Sequence, residues 1–505
     1  MTSGIQRRDF LKLAGLLPLS LAAPRWTRGL SSASGQPNVI VLVFDAFSTN
    51  NISLYGYARE TTPNLARLAK RAIVYHNQYA GSNFTTSGTA SLLTGTLPWT
   101  NRATEDNGTV VAALQAHNIF NVFQGYYRTA FTHNSWVQTL LNQFHNDIDE
   151  IVPRERLYLG SYDSAIHGLF SRDDDIATVG WTRYMKILDG SSYSLFLSRF
   201  YEAIHARQVA SYAAQFPLGI PINGSKDAFV LEQAVDWLKD HLNAIPRPFF
   251  GYFHFLPPHA PYRTSLEFYN RFAHDGLRPL IKPVDVFANN GASSDFLESR
   301  TQYDEFILYA DKAFGDLFDS MEASGLLDNT WVVVTSDHGE MFERGFVGHG
   351  NPTLYQPVIR VPLLIFEPGR KTGMDIHAST SAVDILPTLM QLTGRPIPDW
   401  TEGAVLPPFG RSDASFNRDL YSVTARKNGE NVPLHQASTT LVRGRYKLLY
   451  FFGYQALGID DLVMLFDLQA DPEELVDLSS TQQAVTAELL TELKSKIAQA
   501  NRPYL

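Results

Sequence analysis

Two acidic positions in this chain each follow directly on a run of apolar, mostly β-branched residues. Asp337 and His338 come after residues 332–335, and Asp45 follows residues 38–44. An Asp beside a His offers a hard carboxylate oxygen and an imidazole nitrogen, which together suit a divalent cation. Taken alone, the Asp337-His338-Gly339 segment could equally be a plain turn, in which Asp337 caps and Gly339 bends the backbone. A metal site there therefore depends on which other residues reach the same place.

The two apolar runs predict strands that are buried on both faces, as in a parallel sheet covered by helices. Residues 306–325 predict an amphipathic helix that leads into the second strand, the order expected of a doubly wound sheet. Open α/β sheets hold their ligands at the carboxyl ends of parallel strands. We therefore expect Asp45 and Asp337 at one edge of the same sheet.

A third candidate segment spans residues 83–95, where a hydroxyl-rich entry leads into a short helix that ends at Gly95. Hydroxyl groups at the start of a helix lie where free backbone amides and the helix dipole favour an anion. Ordinary capping of the helix by Thr85 or Thr86 is the alternative for this segment taken alone.

Composition excludes several classes of protein. The chain has 505 residues, enough for one large α/β domain and a smaller one, and 44% of them are hydrophobic. Its net charge of −9 gives no electrostatic reason to expect nucleic acid or an anionic membrane as a partner. It has no cysteine, which excludes disulfides, thiolate nucleophiles and cysteine-bound zinc.

The N-terminus predicts export. Arg7 and Arg8 precede a short apolar run at residues 13–23, as in a twin-arginine signal, and a Ser/Gly-rich linker follows at residues 30–36. We therefore expect residues 1–35 to be signal and linker, and the protein to be periplasmic or extracellular without a stable membrane span after cleavage. An amphipathic first helix of the fold is the alternative.

A series of short motifs extends these pieces along the chain. They are Asp45, then residues 54–57, 61–65, 90–95, 258–262, 336–340, 348–351, 360–363, 383–388, 444–447, 465–468 and 471–474. In this order they resemble the sulfatase-like branch of the alkaline phosphatase superfamily.

The resemblance implies an α/β fold, the alkaline-phosphatase-like sandwich. A large mixed, mostly parallel sheet flanked by helices would be followed by a small C-terminal antiparallel sheet with a helix. The implied domains are a catalytic domain at residues 36–407, with a helical insert at about 135–243, and a C-terminal α+β subdomain at residues 408–505.

The resemblance also implies a site. One divalent metal ion, which could be Mg, Mn, Ca or Zn, would be held by Asp45, Asp337, Thr85 and His338. Of these four residues, Thr85 occupies the family's nucleophile position. His259 and His349 match positions that face the substrate or its leaving group. Glu340 would orient His338.

Departures from the sulfatase pattern bear on the substrate. Sulfatases form formylglycine from Cys or Ser in a Cys/Ser-x-Pro/Ala-x-Arg motif, but this window reads Thr-Thr-Ser-Gly-Thr at residues 85–89. A threonine cannot be oxidised to that aldehyde, and a threonine nucleophile is similar to the phosphodiesterase and phosphoethanolamine transferase members. Ala46 stands where sulfatases have a second acidic residue after the first strand. Residues 132–134 stand where sulfatases have a Lys-x-His pair.

These features predict an exported, metal-dependent hydrolase of phosphate esters, either phosphodiesters or phosphonate monoesters, that forms a phospho-threonine intermediate. Its substrate would be a small molecule or a lipid or glycan head-group ester. Three alternatives stay open: a phosphoethanolamine- or phosphoglycerol-type transferase, a hydrolase of sulfuric esters, and a non-catalytic binding protein on this scaffold.

Overall fold

The computed structural model of this chain describes residues 35–159, 203, 206–223, 227–288, 296–459 and 461–505. The predicted export signal lies outside the described residues, as do residues 160–202, 204–205 and 224–226 of the predicted insert at 135–243.

The strands alternate with helices along much of the chain. The strands are β1 (Asn38–Phe44), β2 (Ile73–Tyr79), β3 (Tyr127–Thr132), β4 (Glu150–Ile151), β5 (Ile222–Asn223), β6 (Asp227–Ala228), β7 (Phe249–Phe255), β8 (Thr330–Thr335), β9 (Met341–Glu343), β10 (Phe346–Gly348), β11 (Arg360–Phe366), β12 (Met374–Ser381), β13 (Leu420–Thr424), β14 (Ala437–Arg443), β15 (Tyr446–Phe452) and β16 (Leu462–Asp467). The α-helices with both ends described are α1 (Pro63–Ala69), α2 (Thr85–Thr94), α3 (Pro98–Asn101), α4 (Ile119–Val122), α5 (Ser135–Gln143), α6 (Leu231–Ala244), α7 (Phe296–Ala323), α8 (Gln356–Ile359), α9 (Ile385–Leu392) and α10 (Gln483–Asn501).

The large sheet is mixed and mostly parallel. Within the described residues its strands follow the order β12-β2-β11-β8-β1-β7-β3-β4. Strand β11 runs antiparallel to both of its neighbours, whereas β8, β1, β7, β3 and β4 run parallel to one another. The carboxyl ends of these parallel strands therefore meet at one edge, as the sequence predicts.

Strand β1 shows why the centre of the sheet is buried on both faces. Ile40 and Leu42 pack into one apolar core, and Val39 and Val41 into another, because successive side chains point to opposite faces of a strand. Helices α1, α6 and α7 contribute to the first core, and helices α2, α5 and α9 to the second. The sheet is thus sandwiched between two helical layers.

The C-terminal part of the chain forms a smaller sheet. Within the described residues its order is β13-β14-β15-β16, with every neighbouring pair antiparallel. Helix α10 covers one face, where Leu489 and Leu493 pack with Leu441 and Leu448. The α/β fold implied by the resemblance is confirmed in both sheets. The predicted domain boundary near residue 407 stays a prediction.

Candidate functional site

The pairing of β1 with β8 brings the two predicted acids together. Val43 lies opposite Thr335 in this parallel pair, so Asp45 and Asp337, each two residues further on, leave the sheet side by side. Both side chains are fully buried. The edge of the sheet thus carries two neighbouring carboxylates away from water.

His338 completes a cluster with these acids. Its Nε2 lies 3.3 Å from Asp45 Oδ1 and 3.7 Å from Asp337 Oδ2, and one ligand atom from each of the three residues lies within 4.8 Å of the others. The Nδ1 of His338 donates a hydrogen bond to the Gly339 carbonyl at 2.9 Å. The lone pair of Nε2 is therefore directed at the carboxylates, in the tautomer that binds metals.

The two carboxylates are held differently, and Asp337 accepts hydrogen bonds through both of its oxygens: Thr89 Oγ1 donates to Oδ2 at 3.4 Å. Asp337 Oδ1 accepts the backbone amides of His338 at 3.0 Å and Ala46 at 3.4 Å. Asp45 Oδ2 accepts the side-chain amide of Asn134 at 2.6 Å. In contrast, Asp45 Oδ1 is buried without a hydrogen-bond partner among the described residues. Asp45 Oδ1, which faces His338, is thus left available for another group.

The charges in the cluster are strongly coupled. Burial pushes the pKa of Asp45 upward, but the charge of His259 and the nearby imidazoles of His254 and His338 hold it well below its usual range. Burial raises the pKa of Asp337, and the Asp45 charge raises it further. Burial lowers the pKa of His338, yet the charges of Asp337 and Asp45 outweigh this effect and raise the pKa to about 9. Two hard carboxylates, one imidazole and an unpartnered buried oxygen fit a divalent cation.

The start of helix α2 places Thr85 beside this cluster. The Thr85 hydroxyl lies 3.2 Å from His338 Nε2. The residue before the helix is Phe84, which has no side-chain oxygen to cap it, so the alternative explanation, ordinary capping by Thr85 or Thr86, does not apply. Gly88 allows the close approach of the helix, because a Cβ there would lie 2.3 Å from the Asp337 carbonyl oxygen.

Two further histidines line the same side of the cluster. His349 follows β10, and its ring centroid lies 4.2 Å from that of His338. His259 follows β7, and its ring centroid lies 4.8 Å from His349 and 6.4 Å from His338. The Nδ1 of His259 donates to the Ala260 carbonyl at 2.6 Å, which leaves Nε2 for another partner. The structure thus brings both predicted histidines to Thr85 and the acids.

Glu340 differs from its predicted role. Its Oε1 accepts a hydrogen bond from His349 Nδ1 at 2.8 Å, while His338 uses the Gly339 carbonyl instead. The prediction that Glu340 orients His338 is wrong, because a backbone carbonyl next to the ring satisfies its Nδ1 first. Burial lowers the pKa of His349 to about 4, so this ring is neutral at pH 7 with Nδ1 facing Glu340.

Two residues near Asp45 were not assigned to the metal cluster from sequence. Asn134 donates to Asp45, so the segment that departs from the Lys-x-His pattern still reaches the site. His254 is the last residue but one of β7 and is fully buried, with its Nε2 3.3 Å from Asp45 Oδ2. Its signal in the sequence is a single histidine inside an otherwise apolar strand. In contrast, His133 is turned away and stacks on Phe229.

A family comparison decides where this chain belongs. The family model for sulfatases matches residues 37–395, which is more than half of the chain. The chain belongs to the sulfatase family. A second model, for the C-terminal part of N-sulphoglucosamine sulphohydrolase, matches residues 346–502. The resemblance seen in the ordered motifs is confirmed, and so is membership of a family of hydrolases.

Individual relatives are distant. Arylsulfatase K of Bos taurus is 28% identical over 302 residues, which cover 53% of this chain and 54% of that protein. The choline-sulfatase of Rhizobium meliloti (strain 1021) is 26% identical over 474 residues, covering 88% of this chain and 83% of that one. This sulfatase-family chain thus spans about half the length of the arylsulfatase K relative and most of the choline-sulfatase.

A solved structure with the same fold is the phosphonate monoester hydrolase of Agrobacterium radiobacter. Its TM-score is 0.68 at 19% sequence identity, over 92% of this chain and 96% of that one. At this identity the likeness concerns the fold alone. Among the described helices, none combines the length and the apolar character that crossing a membrane requires.

Proposed function

We propose that this sulfatase-family protein is a metal-dependent hydrolase of phosphate esters, and that Thr85 is its nucleophile. The observation that carries the proposal is the Thr85 hydroxyl, 3.2 Å from His338 Nε2 at the Asp45–Asp337 cluster. Because a threonine side chain cannot become formylglycine, the hydroxyl itself must attack. Attack by an alkoxide that leaves a phospho-threonine suits phosphorus chemistry better than sulfatase chemistry.

Asp45, Asp337 and His338 would hold the divalent cation, with Thr85 as a fourth ligand. A bound cation supplies Lewis acidity, which stabilises the alkoxide and the charge that develops on a non-bridging oxygen. The chain itself supplies a buried, preorganised set of carboxylates, so little rearrangement is needed to accept it.

Hydrolysis would proceed in two half-reactions, phosphorylation of Thr85 and hydrolysis of the phospho-threonine. Thr85 Oγ loses its proton and forms a bond to phosphorus, while the bond to the leaving oxygen breaks and that oxygen gains a proton. Water then cleaves the threonine–phosphorus linkage and restores the hydroxyl. His349, neutral and fixed through Nδ1 on Glu340, can take up and return a proton at Nε2. We assign His259 to contact with the transferred group or the leaving oxygen.

Hydrolysis of sulfate esters is the second candidate. The observation that favours it is the set of curated relatives, which are named as sulfatases, including the choline-sulfatase that covers 88% of this chain. The two candidates share the scaffold and the cation site. They differ in which ester the Thr85 hydroxyl can attack.

We also propose the context in which the enzyme works. Arg7, Arg8 and the apolar run after them support export by the twin-arginine route, to the periplasm or beyond. The substrate would then be a small-molecule or head-group ester met outside the cytoplasm. Residues 408–505, which contain the smaller sheet, would form a C-terminal subdomain beside a catalytic domain at 36–407.

The test is a panel of activated phosphodiesters, phosphonate monoesters, phosphate monoesters and aryl sulfates, assayed with several divalent metals. Phosphodiesters or phosphonates should be turned over fastest. Thr85→Ala should lower kcat/KM by about 10³-fold or more, because it removes the attacking atom. Thr86→Ala is the matched control, since it removes the neighbouring buried hydroxyl and should change kcat/KM little. Rapid quenching should reveal phosphate on Thr85 by mass spectrometry.

Three outcomes count against this proposal. An active Thr85→Ala with an inactive Thr86→Ala would move the nucleophile by one residue. Faster turnover of aryl sulfates than of every phosphorus ester would favour the second candidate. Full activity after removal of all divalent metal would contradict the role of the Asp45–Asp337–His338 cluster.

A further inference from the structure

His254 is a buried imidazole that the predicted ligand set does not include. It lies in β7 on the sheet face that packs against helix α2, and its side chain is fully buried. Its Nε2 lies 3.3 Å from Asp45 Oδ2 and 4.0 Å from Asp337 Oδ2. No well-aligned hydrogen-bond partner for this nitrogen is found among the described residues. A polar atom buried in front of two carboxylates requires an explanation.

Tyr252 determines how this imidazole is protonated. Its hydroxyl lies 3.0 Å from the Nδ1 of His254. Burial raises the pKa of Tyr252 well above its usual value, so the phenol keeps its proton; its neighbours for hydrogen bonding are this Nδ1 and Thr89. With Nδ1 as the acceptor at 3.0 Å, the hydrogen of the neutral ring is on Nε2. That N–H then faces the two carboxylates.

We infer that His254 is a positioning residue of the metal centre, which directs its Nε2–H at Asp45 Oδ2 with Tyr252 fixed behind it. Asn134 donates to the same oxygen at 2.6 Å. Two donors on Oδ2 leave Oδ1, the unpartnered oxygen beside His338, for the cation. This role rests on the metal centre of the proposed function and deepens it, because it assigns a residue that sets the affinity of the site.

Direct ligation by His254 is the competing arrangement, and the geometry disfavours it. The mutually close ligand atoms belong to Asp45, Asp337 and His338, and the nitrogens of His254 are outside that group. Ligation through Nε2 would also require the ring hydrogen on Nδ1. The Tyr252 hydroxyl would then lose Nδ1 as an acceptor within the protein interior, which is unfavourable.

The first experiment measures binding of Mn²⁺ to metal-stripped protein by titration calorimetry. The double variant Tyr252→Phe/His254→Leu removes the donor without leaving a phenol unpaired, and should weaken Mn²⁺ binding about 10- to 100-fold. His254→Gln keeps an N–H donor and should stay within a few-fold of the native protein. Tyr75→Phe is the matched control, because it removes another buried hydroxyl of the same sheet, which donates to the Pro407 carbonyl at 2.6 Å. Native affinity in the double variant would overturn the inference.

The second experiment counts the nitrogens bound to the metal and does not depend on how the double variant folds. Pulsed electron paramagnetic resonance of the Mn²⁺-loaded native protein should detect one directly coordinated imidazole nitrogen, that of His338. His254→Gln should give the same count. Two coordinated nitrogens in the native protein, falling to one in His254→Gln, would make His254 a ligand and overturn the positioning role.

Neither measurement requires turnover, so the two proposals can fail separately. If metal binding depends on His254 as expected while no ester of the panel is hydrolysed, the proposed function fails and the positioning role stands. A native protein that binds no Mn²⁺ at all would overturn the positioning role itself.

Discussion

At the residue scale, the surroundings of each histidine decide its charge. Two carboxylates raise the pKa of His338 to about 9 although the ring is buried. Burial instead lowers the pKa of His349 to about 4 and that of His133 to about 3. The proton affinity of the same side chain is thus raised in one place and lowered in two others. Neighbours that are distant in sequence cause this difference, so residue type alone does not predict it.

His133 gives a pH dependence whose sign follows from this shift. Its folded pKa of about 3 lies below the ordinary value of 6.5, so its contribution to stability is fully present above pH 6.5 and is lost as pH falls towards 3. His133→Phe keeps a ring on Phe229 and removes the titrating group. The variant should take up about one proton fewer than the native protein on unfolding near pH 5. Urea unfolding at several pH values measures this difference. Parallel stability curves for the two proteins between pH 6.5 and 4 would contradict it.

At the element scale, the contact between helix α2 and the exit of β8 sets the position of the nucleophile. The helix is buried along its whole length, and Gly88 lies against the Asp337 backbone. A glycine is required there for close approach, since no other residue lacks a Cβ. The hydroxyl at the start of the helix and the acid at the end of the strand are therefore fixed by one contact.

Gly88→Ala should separate these two elements. The added Cβ would lie 2.3 Å from the Asp337 carbonyl oxygen, a backbone atom that cannot move cheaply. We expect a loss of about 1–3 kcal/mol in stability and at least about a tenfold weaker binding of metal. Gly429→Ala is the matched control, because its Cβ would meet only the Val432 side chain at 3.5 Å. Thermal unfolding and metal titration check both. Equal metal affinity in Gly88→Ala and native protein would show that this contact does not position Asp337.

Helix α1 shows a limit of sequence reasoning at the same scale. The sequence Thr62-Pro63 predicts a helix start with Thr62 as the cap, and the helix does begin at Pro63. Yet the Thr62 side chain makes no cap bond, and the amides of Asn64 and Leu65 are bound at 2.8 Å by the carboxylate of Asp311. The start of the helix could be predicted from local residues. Its cap comes from helix α7 and required the tertiary structure.

At the scale of the whole molecule, the smaller sheet supports the segment that leads to Thr85. The Ser422 hydroxyl donates to the Ala80 carbonyl at 2.6 Å, and the Val423 amide donates to the Gly81 carbonyl at 2.9 Å. These bonds link strand β13 to the residues that enter helix α2. The smaller sheet therefore holds the nucleophile segment in place without contributing a residue to the cation cluster.

Removal of metal should lower the stability of the whole protein. The buried carboxylates of Asp45 and Asp337 lie together, so a cation bound to the folded state stabilises it through mass action. Metal at 100 times its Kd should add about 2.7 kcal/mol, or a rise in Tm of about 3 °C for a chain of this length. Scanning calorimetry with and without a chelator measures the shift. Asp45→Asn is the control and should respond much less, whereas an equal response would place the stabilising metal elsewhere.

The sequence by itself determined the family, the fold class and the segments that carry the site. Continuous apolar runs, strand exits marked by acids and a hydroxyl-rich helix start are local patterns, and local patterns depend on residues close together in the chain. Tertiary structure decided which of these side chains meet and in what state. His254 comes from near the carboxyl end of an apolar strand, Glu340 pairs with His349 and not with His338, and Asp311 caps a helix that lies 247 positions away in sequence. The order of strands in the sheet and the burial of side chains determine these partners. Both depend on residues that are far apart in the chain.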